Sequence, residues 1–197
     1  MTFVGSGSAS QLAKSIGQFG IRKLLVVTDK PLRELGILDG TLAALSGHGV
    51  ATAVYDGVLP DPTQQVIDDG IAMLKSEGCD AVLAFGGGSS IDSAKVIALA
   101  GANGCSAADC IGANKCKLPA LPLFAIPTTA GTGSEVGRSA VVSENDTHHK
   151  RTVFSARILA RMVFADPELT VGLPAAVTAA TGMDALAHNL KPIARPS

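Results

Sequence analysis

The residues best suited to chemistry begin with a run of glycines. The run reads Gly86, Gly87, Gly88 and Ser89. It follows a continuous apolar stretch and precedes a segment with helical spacing, so bare N–H groups and the positive end of a helix dipole would face an anion. We therefore predict that a pyrophosphate binds here, with Asp92 forming a capping arrangement with Ser89. The alternative is an ordinary glycine-rich turn before a capped helix.

A second loop, residues 127–135, is dense in hydroxyl groups and glycines. Hydroxyls and exposed amides suit a ribose or a phosphate, and loops that follow parallel strands meet at one edge of the sheet. We therefore expect the two loops to share one crevice. Neither loop matches the usual dinucleotide fingerprint, because Val136 stands where the third glycine after Gly131-Thr132-Gly133 would be required. A plain Rossmann dehydrogenase is disfavoured.

Asp29 follows the apolar run 24–27. A carboxylate at the end of such a strand can accept hydrogen bonds from an adenosine ribose and repel a 2′-phosphate, which favours NAD over NADP. The same carboxylate could cap a helix that begins near Pro31. The sequence leaves both interpretations open.

Asp184 and His188 are four residues apart in a helical segment. This spacing places a carboxylate and an imidazole on one face, where both could reach one divalent metal ion. Sites of this kind usually use three or more protein ligands, and such a pair is more often a surface ion pair. Taken alone, the spacing favours the ion pair.

The elements that would position these residues alternate between strand and helix. Continuous apolar runs at 24–27, 51–55, 81–85 and 121–126 indicate strands buried on both faces, and residues 9–19, 40–46, 63–76 and 90–100 have helical spacing. This alternation predicts an α/β fold with a parallel, doubly wound sheet. Residues 101–117 are predicted to form a loop, 141–161 a hairpin or edge strands, and a further helix is expected from Pro174.

The amino-acid composition limits the kinds of partner that the protein is expected to bind. The 197 residues are 47% hydrophobic and carry a net charge of −1, so nucleic acid and anionic membranes are not expected. The cysteines lack paired C-x-x-C spacing and the N-terminus lacks a basic segment followed by a long apolar run, so neither a zinc ribbon nor secretion is expected. Free thiols in a reducing cytoplasm are the expectation. A small molecule is the expected partner.

Four segments together resemble the iron-containing (group III) alcohol dehydrogenase family, which includes lactaldehyde reductases and 1,3-propanediol dehydrogenases. They are Gly86 to Asp92, Pro127 to Glu135, Asp166-Pro167-Glu168-Leu169-Thr170 and Thr181 to His188. The resemblance implies a dehydroquinate-synthase-like fold. Residues 1–169 would form the Rossmann-like dinucleotide-binding domain, and residues 170–197 would supply only the first helix of an all-helical metal-binding domain.

The resemblance also implies an activity, in which hydride passes between a small primary alcohol or diol and NAD, assisted by Fe(II) or, in some relatives, Zn(II). Asp184 and His188 would be metal ligands, and Asp29 would bind the adenosine ribose. The phosphates and nicotinamide ribose would contact Thr128, Thr129, Gly133, Ser134 and Lys150. Full-length relatives are expected to be homo-oligomers.

The end of the chain departs from the family pattern. Further metal-binding histidines are expected in the family, and Lys191-Pro192 should break the helix because proline lacks an N–H donor. We therefore expect a truncated chain. Its apolar helix residues Val177, Met183, Leu186 and Leu190 should be exposed and favour self-association. A catalytically incomplete NAD-binding fragment and a zinc-dependent glycerol dehydrogenase-like enzyme are the alternatives.

Overall fold

The computed structural model describes residues 1–194, with side-chain surroundings described through residue 190. The strands are β1 Thr2–Val4, β2 Lys23–Asp29, β3 Ala51–Val58, β4 Ala81–Gly86, β5 Gly112–Ala113, β6 Leu123–Pro127, β7 Ser139–Ser143, β8 Lys150–Phe154 and β9 Met162–Ala165. The α-helices are α1 Gln11–Ile16, α2 Lys30–Glu34, α3 Asp39–Gly47, α4 Gln64–Ser76, α5 Gly88–Asn103 and α6 Ala175–Ala194.

Six strands form one parallel sheet in the order β1-β9-β6-β4-β2-β3. The predicted Rossmann-like α/β fold is therefore confirmed, and β2, β3, β4 and β6 are the four strands expected from apolar runs. β1 and β9 were not predicted. They pair with each other, and the rings of Phe3 and Phe164 stack with centroids 5.0 Å apart.

Both faces of the sheet are buried at its centre, because every position of β4 and β6 is buried and so are Leu24 to Val27 of β2. Leu25 and Val27 pack with α4 and α5 on one face, whereas Leu24 and Val26 pack with α1 and α3 on the other. This alternation follows from the two-residue period of a strand, and burial on both faces explains why the strands are continuous apolar runs. The loops that follow the strands lie at the carboxyl edge of the sheet.

A smaller three-stranded sheet lies beside the main one, in the order β5-β8-β7. β7 and β8 are antiparallel, which confirms the hairpin predicted within 141–161. The prediction that residues 101–117 form only a loop is partly wrong. α5 continues to Asn103, and Gly112 and Ala113 pair with β8 in parallel, because tertiary contacts supply partners that a glycine-rich sequence does not reveal.

α6 begins directly after Pro174 and lies mostly in contact with solvent. Val177, Met183, Leu186 and Leu190 are exposed, as predicted. The expected break at Pro192 is wrong, since α6 continues to Ala194. Proline fixes φ near the helical value, and the backbone stays helical for two residues beyond it. Residues 195–197, part of the predicted atypical tail, lie outside the described residues.

None of the helices within residues 1–194 has the length and apolar character needed to cross a membrane.

Candidate functional site

The two glycine-rich loops lie side by side at the carboxyl edge of the main sheet. Gly86 at the end of β4 is in register with Pro127 at the end of β6, and the Thr128 N–H donates to the Gly86 carbonyl at 3.1 Å. A Cβ at Gly88 would lie 2.8 Å from Thr132 Cγ2, so the loops touch with no room for a methyl group. Residues that the sequence predicted to share a crevice are thus neighbours.

Glycine is required at two of these positions by the backbone itself. Gly86 has a φ of 149°, and a Cβ there would lie 2.6 Å from Ser90 Oγ. Gly133 has a φ of 62° at the start of a short 3-10 helix. Residues that carry a side chain rarely adopt such φ values, so both loops need glycine at these positions to follow this path.

The N-terminus of α5 is open toward the cleft. Within the described residues, α5 begins after Gly87 with no side-chain cap and no acidic residue in its first turn. By contrast, α2 is capped by Asp29 and α4 by Thr63. The first N–H groups of α5 therefore have no acceptor within the helix and can bind an anion.

The predicted capping arrangement of Ser89 with Asp92 is wrong. Asp92 Oδ1 accepts a hydrogen bond from Ser134 Oγ, and Asp92 Oδ2 accepts one from the Val141 N–H at 2.9 Å. Distant partners thus compete successfully with the local cap. Asp92 thereby ties α5 to the second loop and to β7.

Lys95 lies beneath the loops and was not recognised in the sequence. Its side chain is fully buried, and its Nζ donates to Ser134 Oγ at 2.9 Å and to the Ser139 carbonyl at 2.7 Å, with Asp92 Oδ1 3.7 Å away. Burial lowers the lysine pKa, while the charge and hydrogen bonding of Asp92 act in the opposite direction. The three-residue spacing of Asp92 and Lys95 on a helix was the one available signal. Lys95 fixes the loop that carries Ser134.

Asp29 caps α2, since its Oδ1 accepts from the Leu32 N–H at 2.9 Å. The capping interpretation that the sequence left open is therefore present in the structure. The second carboxylate oxygen is not needed for the cap. A role toward an adenosine ribose stays a prediction, and the position of Asp29 at the end of β2, beside β4, is compatible with it.

A cleft of about 480 Å³ brings some of the nucleotide candidates together with both metal candidates. It is lined on one side by the loops and on the other by α6. Among its lining residues are Gly88, Ser89, Asp92, Thr132, Gly133, Ser134, Lys150, Asp184 and His188. Lys150 is exposed at the rim, where its Nζ lies 2.6 Å from Asp61 Oδ1. Asp61 was not anticipated, and it partly neutralises the lysine that was expected to meet phosphate.

Asp184 and His188 face the same cleft from α6. His188 Nε2 lies 3.5 Å from Asp184 Oδ1, and both side chains are about half exposed, which is the geometry of an ion pair on a helix surface. In the described part of the chain, no third histidine, cysteine or carboxylate joins them closely enough to complete a three-ligand group. The helix is close to the second loop, because a Cβ at Gly131 would lie 2.5 Å from the Thr181 carbonyl oxygen.

A parallel sheet with helices on both faces, and with glycine-rich loops at the ends of neighbouring strands, defines a Rossmann-like α/β protein. The family model of the iron-containing alcohol dehydrogenases matches residues 1–167. This chain belongs to the iron-containing alcohol dehydrogenase family, as the sequence motifs indicated.

Individual relatives agree with this assignment. Alcohol dehydrogenase 4 of Schizosaccharomyces pombe is 41% identical over 187 residues, which cover 95% of this chain and 44% of that protein. The NAD-dependent methanol dehydrogenase of Bacillus methanolicus is 38% identical, with 95% and 49% covered. The crystal structure of a 1,3-propanediol oxidoreductase superimposes with a TM-score of 0.92 at 39% identity, with 96% and 50% covered. The chain spans about half the length of the curated relatives it matches.

Proposed function

We propose that this chain provides the dinucleotide-binding part of an NAD(H)-linked, metal-dependent alcohol dehydrogenase. The enzyme would transfer hydride between a small primary alcohol or diol and nicotinamide, producing or consuming an aldehyde. The observation that carries the proposal is the uncapped N-terminus of α5, which opens into the cleft that Asp184 and His188 also line. The NAD-dependent relative from Bacillus methanolicus supports the choice of cofactor.

The residues around the α5 N-terminus fit a dinucleotide phosphate. The first turn of α5 has no side-chain cap, and Gly88 and Ser89 line the cleft, so N–H groups of this turn can donate to a phosphate. The Thr132 hydroxyl can donate to a phosphate, whereas the Ser134 hydroxyl, whose proton goes to Asp92, can accept from a ribose hydroxyl. Lys150, partly neutralised by Asp61, adds positive charge at the rim. On the adenosine side, the free oxygen of Asp29 would accept from a ribose hydroxyl and repel a 2′-phosphate, which favours NAD over NADP.

Asp184 and His188 fit a metal ion as part of a larger ligand set. A carboxylate oxygen and an imidazole nitrogen suit Fe(II), and also Zn(II), and their place on α6 turns them toward the nucleotide loops. The bound ion would supply Lewis acidity that lowers the pKa of the alcohol. Since sites of this kind use three or more protein ligands, we expect these two residues alone to hold the ion weakly.

This expectation separates two activities. The 197-residue polypeptide by itself would bind NADH and show no turnover of alcohol, whereas the whole enzyme would oxidise the alcohol. We place the boundary of the dinucleotide-binding domain near Leu169, ahead of α6. In the whole enzyme, we propose that the exposed apolar residues of α6 are covered and that the protein is a homo-oligomer.

The location of the nucleotide site can be tested with a pair of glycine variants. Gly88→Ala places a methyl group 2.8 Å from Thr132 Cγ2 in the proposed phosphate site, whereas Gly40→Ala, in the first turn of α3, meets nothing within 4 Å. Thr132 must move to admit this methyl group, and a loss of about 1 kcal/mol in binding free energy corresponds to about 5-fold in affinity. We therefore expect Gly88→Ala to weaken NADH binding about 5-fold or more, with Gly40→Ala unchanged. Fluorescence titration with NADH measures both. Equal affinity of the two folded variants would contradict the proposed location.

A further inference from the structure

Three cysteines form a cluster near the C-terminal end of α5. The Sγ atoms of Cys110 and Cys116 are 3.2 Å apart, those of Cys105 and Cys110 are 3.7 Å apart, and those of Cys105 and Cys116 are 4.0 Å apart. Cys110 and Cys116 are buried, and Cys105 is partly exposed. α5 has 16 residues, so the cluster lies roughly 24 Å from the helix N-terminus that faces the nucleotide cleft. The proposed dehydrogenase function does not involve these residues.

The loop that carries the cysteines is fastened at several points. The Asn103 side chain accepts from the Leu118 N–H at 2.8 Å and donates to the Leu118 carbonyl at 3.1 Å, which closes the loop. Asp68 on α4 accepts from the Ala107 N–H at 2.8 Å. The Arg157 guanidinium donates to the Cys116 carbonyl at 2.6 Å. These contacts do not involve sulfur. The loop therefore holds the three sulfur atoms close together before any ion binds.

We propose that Cys105, Cys110 and Cys116 form a binding site for one thiophilic metal ion, with Zn²⁺ as the occupant. Zinc–sulfur bonds of about 2.3 Å place thiolates roughly 3.7–4.0 Å apart in tetrahedral or trigonal geometry. Two of the three observed separations lie in this range, and the third needs to open by about 0.5 Å. A disulfide between Cys110 and Cys116 would instead require closure by more than about 1 Å.

The charge balance also fits a metal ion. Binding of Zn²⁺ replaces the three thiol protons, which leave to solvent, and the site then carries a single negative charge. Arg157, whose guanidinium binds the Cys116 carbonyl, brings a positive charge to this loop, and Asp109 brings a negative one. The partly exposed Cys105 leaves the fourth position of zinc to a water molecule.

Co²⁺ is the probe for this site, because it replaces Zn²⁺ and its bonds to thiolate give an intense charge-transfer absorption. The reduced 197-residue chain, titrated without oxygen, should take up one equivalent of Co²⁺ with this absorption and lose it when Zn²⁺ is added. Changes outside a ligand set already cost about 10- to 100-fold in metal affinity, so Cys110→Ser, which removes a ligand, should weaken binding at least about 100-fold. Cys105→Ser, at the exposed side of the cluster, gives the same test with less disturbance of the core.

Two controls isolate the cluster from the rest of the molecule. Cys79→Ser removes a buried cysteine outside the cluster and should leave the absorption unchanged. The double variant Asp184→Ala and His188→Ala should also leave it unchanged, since those groups contain no sulfur. The proposal is overturned if the reduced protein shows no charge-transfer absorption at stoichiometric Co²⁺, or if the absorption survives in both Cys110→Ser and Cys105→Ser. Binding of Cu(I) with no binding of Zn²⁺ would overturn zinc as the occupant.

Discussion

Gly131 is the point at which the second loop meets α6, so it offers a direct test of how that helix is held. A Cβ at this position would lie 2.5 Å from the Thr181 carbonyl oxygen and 2.9 Å from Thr181 Cβ. Ordinary contact begins at 3.4 Å, so Gly131→Ala requires the loop and the helix to separate by about 0.9 Å. Overpacking of this kind costs about 1–3 kcal/mol. Because most α6 side chains described are exposed, we expect the helix to move while the sheet keeps its structure.

Hydrogen exchange read by mass spectrometry measures this displacement. If amides of α6 exchange when the helix leaves the loop, a cost of about 1–3 kcal/mol accelerates their exchange about 5- to 140-fold. Gly182→Ala is the matched control, because a Cβ there meets nothing within 4 Å and alanine favours a helix by about 0.5–1 kcal/mol. Its α6 amides should exchange no faster than those of the original chain. Unchanged exchange in Gly131→Ala, or equal acceleration in β4, would refute the reasoning.

Three further variants test the remaining contacts. Asp29→Asn keeps a residue that caps α2 but removes the charge, so NADPH binding should improve relative to NADH binding. Asp29→Ala should improve it as well and should also lower the free energy of unfolding by about 1 kcal/mol. No gain in NADPH binding in either variant would contradict the ribose role. Lys95→Met leaves the partly buried Asp92 without its positive partner, so the free energy of unfolding in urea should fall by about 3 kcal/mol. A loss well below about 1 kcal/mol would contradict the role given to Lys95. Burial raises the Asp80 pKa, but hydrogen bonds from Lys23 and Arg22 outweigh it and lower the net pKa from its ordinary 3.8. The stability that Asp80 contributes is therefore present above pH 3.8 and lost as pH falls below it, so Asp80→Asn should be less stable by about 1 kcal/mol at neutral pH, and the two unfolding curves should converge in acid.

The sequence was informative where local patterns determine structure. β2, β3, β4 and β6 were predictable because strands buried on both faces are built around apolar runs. Gly86 and Gly133 mark backbone that favours glycine, and Gly88 marks crowding that leaves no room for a side chain. β1 and β9 are three and four residues long, and their pairing joins opposite ends of the dinucleotide-binding region. So short a run has no period of its own from which a strand can be predicted.

The site residues that sequence reasoning misjudged are those whose partners are remote. Asp92 was expected to cap its own helix, yet its hydrogen-bond donors lie 42 and 49 residues away at Ser134 and Val141. Lys95 owes its burial to the same second loop. The three clustered cysteines lack C-x-x-C spacing, and only the folded loop brings their sulfur atoms together. Tertiary contacts, which a local pattern does not encode, decide each of these cases.

The central claim is that this chain contains a dinucleotide site that is formed without the metal. Titration of the 197-residue polypeptide with NADH, followed by fluorescence and repeated with Fe(II) in the absence of oxygen, tests it most directly. We predict saturable NADH binding with the same affinity in both titrations, and no oxidation of a short alcohol when NAD is supplied. The absence of NADH binding by the folded chain, or binding that appears only when Fe(II) is present, would contradict the claim.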